Sequence, residues 1–358
     1  MNQSLFIQFV SRFFPVLATI IERYNGKRTP PTYLFKQMLR VEYSPDGQWE
    51  SANVNTKYVS ADMVSLDSPL PIKARGSLGR ATGKIPKIGM KKKLKESQLT
   101  QLLDMAGNAN KYARVITRLT DDAVACSYGI DEEIEYQFLF SLSNGYTLIK
   151  DLDDESDNAI RLDFEYLDNN KFETETKDKL TVADIRKVYE TARDRDNVAI
   201  TYIMLDLTAY NNLRNSDDAK QLVADYRGIT YTASTKLPTP GRALFNEALA
   251  DEFDGLQVIV VNRSVLRERN GVATPEKPWN TDSVMFLPTE EAGALAWADL
   301  AESSRPVDGV SYQKLDNYKL ISKYSKTDPL QEFTAGSARI TPVIENVDML
   351  YQLKVKRT

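Results

Sequence analysis

The sequence predicts an α+β fold, and three observations carry that prediction. Apolar and small residues recur at helical spacing from about Lys111 to Gly145. A glycine- and lysine-rich stretch, Ser68 to Lys95, cannot bury itself in a core. Between about 185 and 310, helical and strand patterns alternate as in a compact α/β domain.

The long stripe comes first, because the rest of the chain is organised around it. Val115, Leu119, Ala123, Cys126, Ile130, Ile134, Phe138 and Leu142 follow one another at steps of three or four, which places them on one helix face. Asp121, Asp122, Asp131, Glu132 and Glu135 are expected on the opposite face. Asn144-Gly145 supplies a C-terminal stop. Gly129 interrupts the run and costs about 1 kcal/mol relative to Ala. The stretch is therefore one long helix or two joined near Gly129.

Length and composition suit a folded protein of about two domains, with 358 residues and a formal net charge of −4. That charge predicts no general affinity for nucleic acid. One cysteine, Cys126, excludes an intramolecular disulfide, and its place on the apolar stripe marks it as a small core residue. The absence of histidine removes the usual general base and the commonest metal ligand. No cofactor is expected. Enzymes built on carboxylates or lysine stay open as a minor alternative.

Leu5 to Ile21 is apolar enough to suggest a signal or membrane segment. Arg12 and Pro15 interrupt it, and neither a basic flank nor a small-residue cleavage site accompanies it. It is expected to be an arm packing on the fold or on a neighbouring copy, with no membrane contact. Ser44-Pro45-Asp46-Gly47 is a turn.

Ser68 to Lys95 holds nine basic residues, four glycines and three prolines without an acid. It is expected to form a long extended hairpin with its tip near Gly76 to Gly83. From Asp131 to Asp178, by contrast, fifteen residues are acidic and four basic. As a nucleic-acid contact, the basic stretch has charge without interleaved aromatics. As a solvated loop it is oddly long. We favour a docking arm: Lys73, Arg75, Arg80, Lys84, Lys87, Lys91, Lys92 and Lys93 of one copy meet Asp131, Glu132, Glu135, Asp153, Asp154 and Glu155 of the next. Such a heterologous contact closes into rings, and its charges steer and register assembly.

Further elements follow in order. Ile160, Leu162, Phe164 and Tyr166 alternate with Arg161, Asp163 and Glu165 as a strand. Thr181 and Asp184 form a capping box that opens a helix with Val182, Ile185, Val188, Tyr189 and Ala192 on its apolar face. VAITYIML (198–205), LQVIVV (256–261), SVMFL (283–287) and ALAWADL (294–300) are strands, and Arg242–Phe253 is a helix. The stretch with Gly271, Pro275 and Pro278 is expected as a loop. Strands and turns resume at Ser311.

Three short motifs dissolve on inspection. Gly79-Arg-Ala-Thr-Gly83-Lys84 has three residues between its glycines where a phosphate loop needs four. Asp151–Asp157 lacks the glycine and closing glutamate of a calcium loop. Ser311-Tyr-Gln-Lys314 lacks the partner motifs of a serine–lysine hydrolase.

The order of parts, together with several short stretches, resembles a known family. Those stretches are Lys323-Tyr324, Lys326-Thr327-Asp328-Pro329, Gln331-Glu332-Phe333-Thr334, Pro342-Val343 and the strand from Asn346-Val-Asp348 to Leu353. Leu142-Ser-Asn-Gly145-Tyr146-Thr147 and the strand-to-helix passage Ile200–Leu213 add to them. Over about residues 30 to 355 the chain is similar to tailed-phage major capsid proteins of the HK-97-type fold, specifically the phage-lambda-like major capsid protein E family.

The resemblance implies an N-terminal arm (1–40), an extended E-loop hairpin (41–96) lying over an adjacent subunit, a peripheral domain with a long spine helix (97–184, completed by 311–358) and an α/β axial domain (185–310). It implies hexamers and pentamers building an icosahedral shell, with scaffold, portal and decoration proteins as further partners. Double-stranded DNA is enclosed without sequence-specific binding, and the virion capsid is assembled in the host cytoplasm. No catalytic residue is implied. Some relatives crosslink a loop lysine to an asparagine; Lys84 or Lys87 with Asn346 would be that pair, though lambda-like members do not generally use one. An encapsulin-type compartment is the alternative within the same fold.

Overall fold

The apolar residues at the start of the chain fold into helix α1 (Ile7–Phe13) and the turn after it. Phe6, Phe9, Val10, Phe13, Phe14 and Leu17 join a core cluster with Leu94, Leu99, Val115, Leu119 and Ile321. Of the two destinations expected for the arm, the chain's own fold is the one seen. The computed structural model describes residues 3–21, 33–53, 63, 79–106, 112–150, 159–232, 236–269 and 271–357. They group into two compact units, one of residues 1–49, 83–137 and 294–342, the other of 50–82, 138–293 and 343–358.

In the first unit the chain enters strand β1 (Leu39–Tyr43) and turns at Gly47, whose φ of +70° is a left-handed conformation that glycine adopts without cost. Strands β2 (Gln48–Asn53) and β3 (Gly79–Lys84) then pair as a two-stranded sheet of their own. Strand β4 (Lys87–Lys95) leads into helix α2 (Glu96–Ala106), which buries Leu99 and Leu102. Helix α3, the long stripe, runs unbroken from Tyr112 to Asn144, so the two-helix alternative does not form. Every stripe residue is buried, from Val115 to Leu142. The unit is completed by β13 (Gly293–Ala298), β14 (Ser311–Leu315), β15 (Lys319–Thr327) and β16 (Leu330–Ile344). The six-stranded sheet has the order β1-β13-β16-β15-β14, with β4 antiparallel to β16.

Helix α3 and this sheet approach closely where each carries a glycine. A Cβ on Gly336 of β16 would lie 2.9 Å from Cys126 Cβ and 3.2 Å from the Cys126 carbonyl oxygen. A Cβ on Gly129 would lie 2.1 Å from Met90 Sδ of β4. Gly129 is therefore the place where the Met90 side chain from β4 lies against the helix.

The second unit is the α/β part. Strands β5 (Tyr146–Lys150) and β6 (Ala159–Asp163) form a hairpin directly after the long helix, with Phe164 and Tyr166 buried beyond it. A five-stranded sheet has the order β7-β17-β12-β8-β9, built from β7 (Lys171–Glu173), β8 (Tyr202–Asp206), β9 (Gln257–Val261), β12 (Ser283–Leu287) and β17 (Tyr351–Lys354). Its helices are α4 (Val182–Asp196), α5 (Leu207–Asn215), α6 (Asp217–Tyr226) and α7 (Arg242–Glu252). The capping box at Thr181 and Asp184 is present in both directions, and the expected apolar face of α4 is buried. The stretch expected as a loop around Gly271 is instead the hairpin of β10 (Val265–Arg269) and β11 (Val272–Glu276). Gly271 supplies a φ of +78° at its turn.

The units depart from the expected boundaries at the hairpin, whose residues 50–82 fall in the second unit, and at residues 138–184, expected with the long helix and also in the second unit; two further departures lie later in the chain. Residues 294–310, expected with the α/β part, fall in the first unit, where β13 lies between β1 and β16. Residues 343–358, expected with the long helix, fall in the second, where β17 lies between β7 and β12.

Candidate assembly surface

Strand alternation gives β4 two unlike faces. On one, Met90 meets Gly129, and Leu94 is buried in the cluster that holds α1. The other carries Lys87, Lys91, Lys93 and Lys95, all exposed. Antiparallel registers extend this second face across the sheet: Lys95, Gln331 and Lys326 share one rung, Lys93, Phe333 and Tyr324 the next, Lys91, Ala335 and Ser322 the third. Lys87 and Lys91 to Lys93 were expected in the extended hairpin. They lie in the main sheet instead, where β4 pairs with β16 along its whole length and Leu94 is buried. Lys92 points to the helix side at the sheet's margin, next to Cys126.

These lysines have few partners. Lys87 Nζ lies 3.5 Å from Glu302. Phe333 and Tyr324 stack at 5.3 Å, and Lys91 and Lys326 sit over the Phe333 ring at 5.9 and 5.7 Å. Among the described residues, Lys91, Lys93, Lys95 and Lys326 have no carboxylate within 4.0 Å.

The pair of strands β2 and β3 stands where the extended hairpin is expected. Its base is held by Arg339 of β16, whose guanidinium donates to the Ile85 carbonyl and the Gly47 carbonyl, each at 3.2 Å. Ile85 N–H donates across to Gly47 at 3.0 Å, and Trp49 lies against Gly83. Gly79 to Gly83, expected near the tip, are strand β3. Lys84 is exposed at the end of β3, and Arg80 is the second residue of that strand. Lys73 and Arg75 lie outside the described residues, as do Asp153, Asp154 and Glu155.

The acidic residues expected on the helix surface need correction. Asp131 is 2 % exposed and Glu135 fully buried. Asp131 forms an ion pair with Lys319 Nζ at 2.7 Å and accepts from Lys36 Nζ at 3.2 Å. Glu135 accepts the Leu34 and Phe35 backbone N–H groups at 3.1 and 3.0 Å, which caps the short helical turn there. Half-buried Glu132 accepts from the Tyr33 hydroxyl at 3.0 Å. Asp131 and Glu135 are thus internal anchors for the segment after the arm, and no neighbour can reach them.

Beneath the sheet sit charges that sequence reasoning missed. Lys323 is fully buried and donates to Thr334 Oγ1 at 2.8 Å; burial holds its pKa below the usual lysine value. Glu332 is 1 % exposed and accepts from the Ser4 hydroxyl and from Leu5 N–H, the latter at 3.1 Å. Burial raises its pKa, against the opposing pull of the Ser4 bond and the Lys323 charge. Ser325 adds a bond to the Gln3 carbonyl at 2.7 Å. The first residues are thereby latched to β15 and β16. Alternation along β15 and β16 puts these positions on the covered face, a signal readable only once the strand pairing is known. Burial pushes the Cys126 thiol up to about 11, as suits a core residue.

In the second unit a groove between α4, α6 and α7 is lined by Arg186, Asp218, Asp225, Asp251 and Glu252. Several of its carboxylates serve the structure. Glu252 pairs with Arg186 at 2.7 Å, Asp218 accepts Ala183 N–H, and Asp225 accepts the Tyr231 hydroxyl. No helix among the described residues is long and apolar enough to cross a membrane.

No protein-family model matches this chain, and no curated protein matches it in sequence. Its structure does have counterparts. A protein of an E. coli CFT073 prophage, described as its capsid protein, matches with a TM-score of 0.55 at 12% identity, covering 90% of this chain and 92% of that one. Two weaker likenesses are too distant to bear on the fold. They are the cyanophage A-1(L) capsid (TM-score 0.47, 11% identity, 91% and 93% covered) and an encapsulin from Synechococcus elongatus PCC 7942 (0.42, 11%, 92% and 89%). With its long helix, its hairpin leaving the sheet and its separate α/β unit, and with nearly the whole of both chains aligned, this chain has the HK-97-type fold of phage capsid proteins.

Proposed function

We propose that the chain is a major capsid protein. Copies of it assemble as hexamers and pentamers into the icosahedral shell of a tailed double-stranded DNA phage or prophage. The observation that carries this reading is the capsid-protein fold over 90% of the chain. The clamped base of the β2–β3 hairpin supports it, since a projecting arm needs a rigid root to engage a neighbour. The hairpin lies over the adjacent subunit, with Arg80 and Lys84 among its contacts. DNA is enclosed without sequence recognition, scaffold and portal proteins act during assembly, and the product is a virion capsid formed in the host cytoplasm.

Sedimentation of the purified protein, alone and co-expressed with its neighbouring phage genes, tests the reading. The expected outcome is closed particles far larger than a hexamer. Nuclease digestion and mass spectrometry of their contents then separate a DNA container from an encapsulin-type enzyme compartment. A species that stays monomeric under every assembly condition overturns both.

A further inference from the structure

The open face of the six-stranded sheet carries Lys91, Lys93 and Lys95 on one edge strand and Lys326 two strands away, in register. Alternate residues of a strand stand about 7 Å apart, so these like charges repel one another, which a sheet face tolerates only at some cost. In the isolated chain no described carboxylate relieves them. The same chain carries the opposite charge in one dense run. Residues 151–158, DLDDESDN, hold five carboxylates and connect Lys150 of β5 to Ala159 of β6, which pair directly.

We propose that the lysine face receives the acidic β5–β6 connection of a neighbouring copy. The proposal rests on the shell reading, which brings copies side by side, and it names the contact that the corrected residues leave open. Asp131 and Glu135 are buried and used within their own chain. Several other acids of the second unit already have cations: Asp163 has Arg161, Asp168 has Lys171, Glu173 has Lys356 and Glu175 has Lys187. A nucleic acid fits the face less well. The Phe333 and Tyr324 rings are stacked on each other under Lys91 and Lys326, which takes them from base stacking, and the chain is acidic overall. Charges of this kind set register and speed of encounter more than affinity, which suits an assembly that must correct errors.

The test uses the full chain in three forms: Lys91→Glu/Lys93→Glu/Lys95→Glu, Asp153→Lys/Asp154→Lys/Glu155→Lys, and both sets together. Circular dichroism and the thermal transition should be unchanged in all three, since every substitution lies on an exposed strand face or in the connection. Each single set is expected to lower particle yield at least tenfold. The combined chain should recover most of it, and an equal mixture of the two single sets should recover six-membered rings, in which the two forms can alternate. Raising salt should slow wild-type assembly. Wild-type assembly with single sets that assemble equally well sinks the pairing and leaves the shell reading intact. Six-membered rings that form from the combined chain and not from the mixture place the contact within one chain, and so also overturn it. In parallel, a labelled peptide of residues 149–159 should bind wild-type subunit and not the lysine-reversed one. This readout needs no shell, so it stands apart from failure of wild type to assemble. If random-sequence duplex DNA binds through these lysines and the peptide does not, the face belongs to nucleic acid and the proposal fails.

Discussion

Two glycines show how a single residue decides the contact between helix and sheet. A methyl group on Gly336 meets Cys126 and Ile321 Cδ1 at 2.9 to 3.2 Å, all in a packed interior. Gly336→Ala should therefore cost about 1–3 kcal/mol in urea denaturation, the usual range for overpacking. Gly129→Ala meets Met90, a flexible side chain that is 36% exposed and can turn outward. The helix also gains about 1 kcal/mol from alanine. The net change should stay within about 1 kcal/mol of zero by the same measurement. A Gly129→Ala loss as large as that of Gly336→Ala would show Met90 to be fixed. Glu332 gives a pH signature. Its ordinary value is 4.5, and burial raises the folded one, so the unfolded chain releases the proton first. Its contribution to stability is complete below 4.5 and is lost as pH rises through the folded value. Glu332→Gln should flatten that part of a stability-versus-pH curve; an unchanged slope would mean the carboxyl is hydrated. At this scale the sequence announces Cys126 as a core residue. It cannot announce Asp131 or Glu135 as buried, because Lys36, Lys319 and the Leu34 and Phe35 amides come from distant stretches.

Elements were legible where one period ruled. Helix α3, the capping box of α4 and strands β9 and β12 all follow from spacing and end signals in the sequence. Strand β4 was hidden because its lysines dominate composition while its apolar positions, Ile88, Met90 and Leu94, are only three. The β10–β11 hairpin was hidden by Pro275, which sits on a strand opposite Leu266 in a sheet with no further strand to feed. Arg339 closes the base of the β2–β3 pair. Arg339→Ala removes both of its bonds to the strands and leaves the Ile85–Gly47 bond alone to close the base. Hydrogen exchange should then quicken at the Ile85 amide by tenfold or more, with the exchange of α3 unaffected. Equal protection in the variant would mean that Trp49 packing against Gly83 holds the base by itself.

For the whole molecule, the shell reading proposed above makes the chain a subunit that contacts its own copies. The arm, expected to pack on its own fold or on a neighbouring copy, is bound by its own core through Ser4, Leu5 and six apolar side chains, so it cannot also reach a neighbour while docked there. That leaves the hairpin, the lysine face and the α/β unit for contacts between copies. No spacing rule in one chain reports a surface that is completed only by another copy, which is why the sequence offers the proposed contact as charge and not as geometry. Cryo-electron microscopy of the purified protein, alone and with co-expressed scaffold, is the most direct measurement. The expected images are closed icosahedral shells, with the β2–β3 hairpin of each subunit lying across the next. Particles without icosahedral order, or a protein that remains monomeric in every condition, would contradict the account.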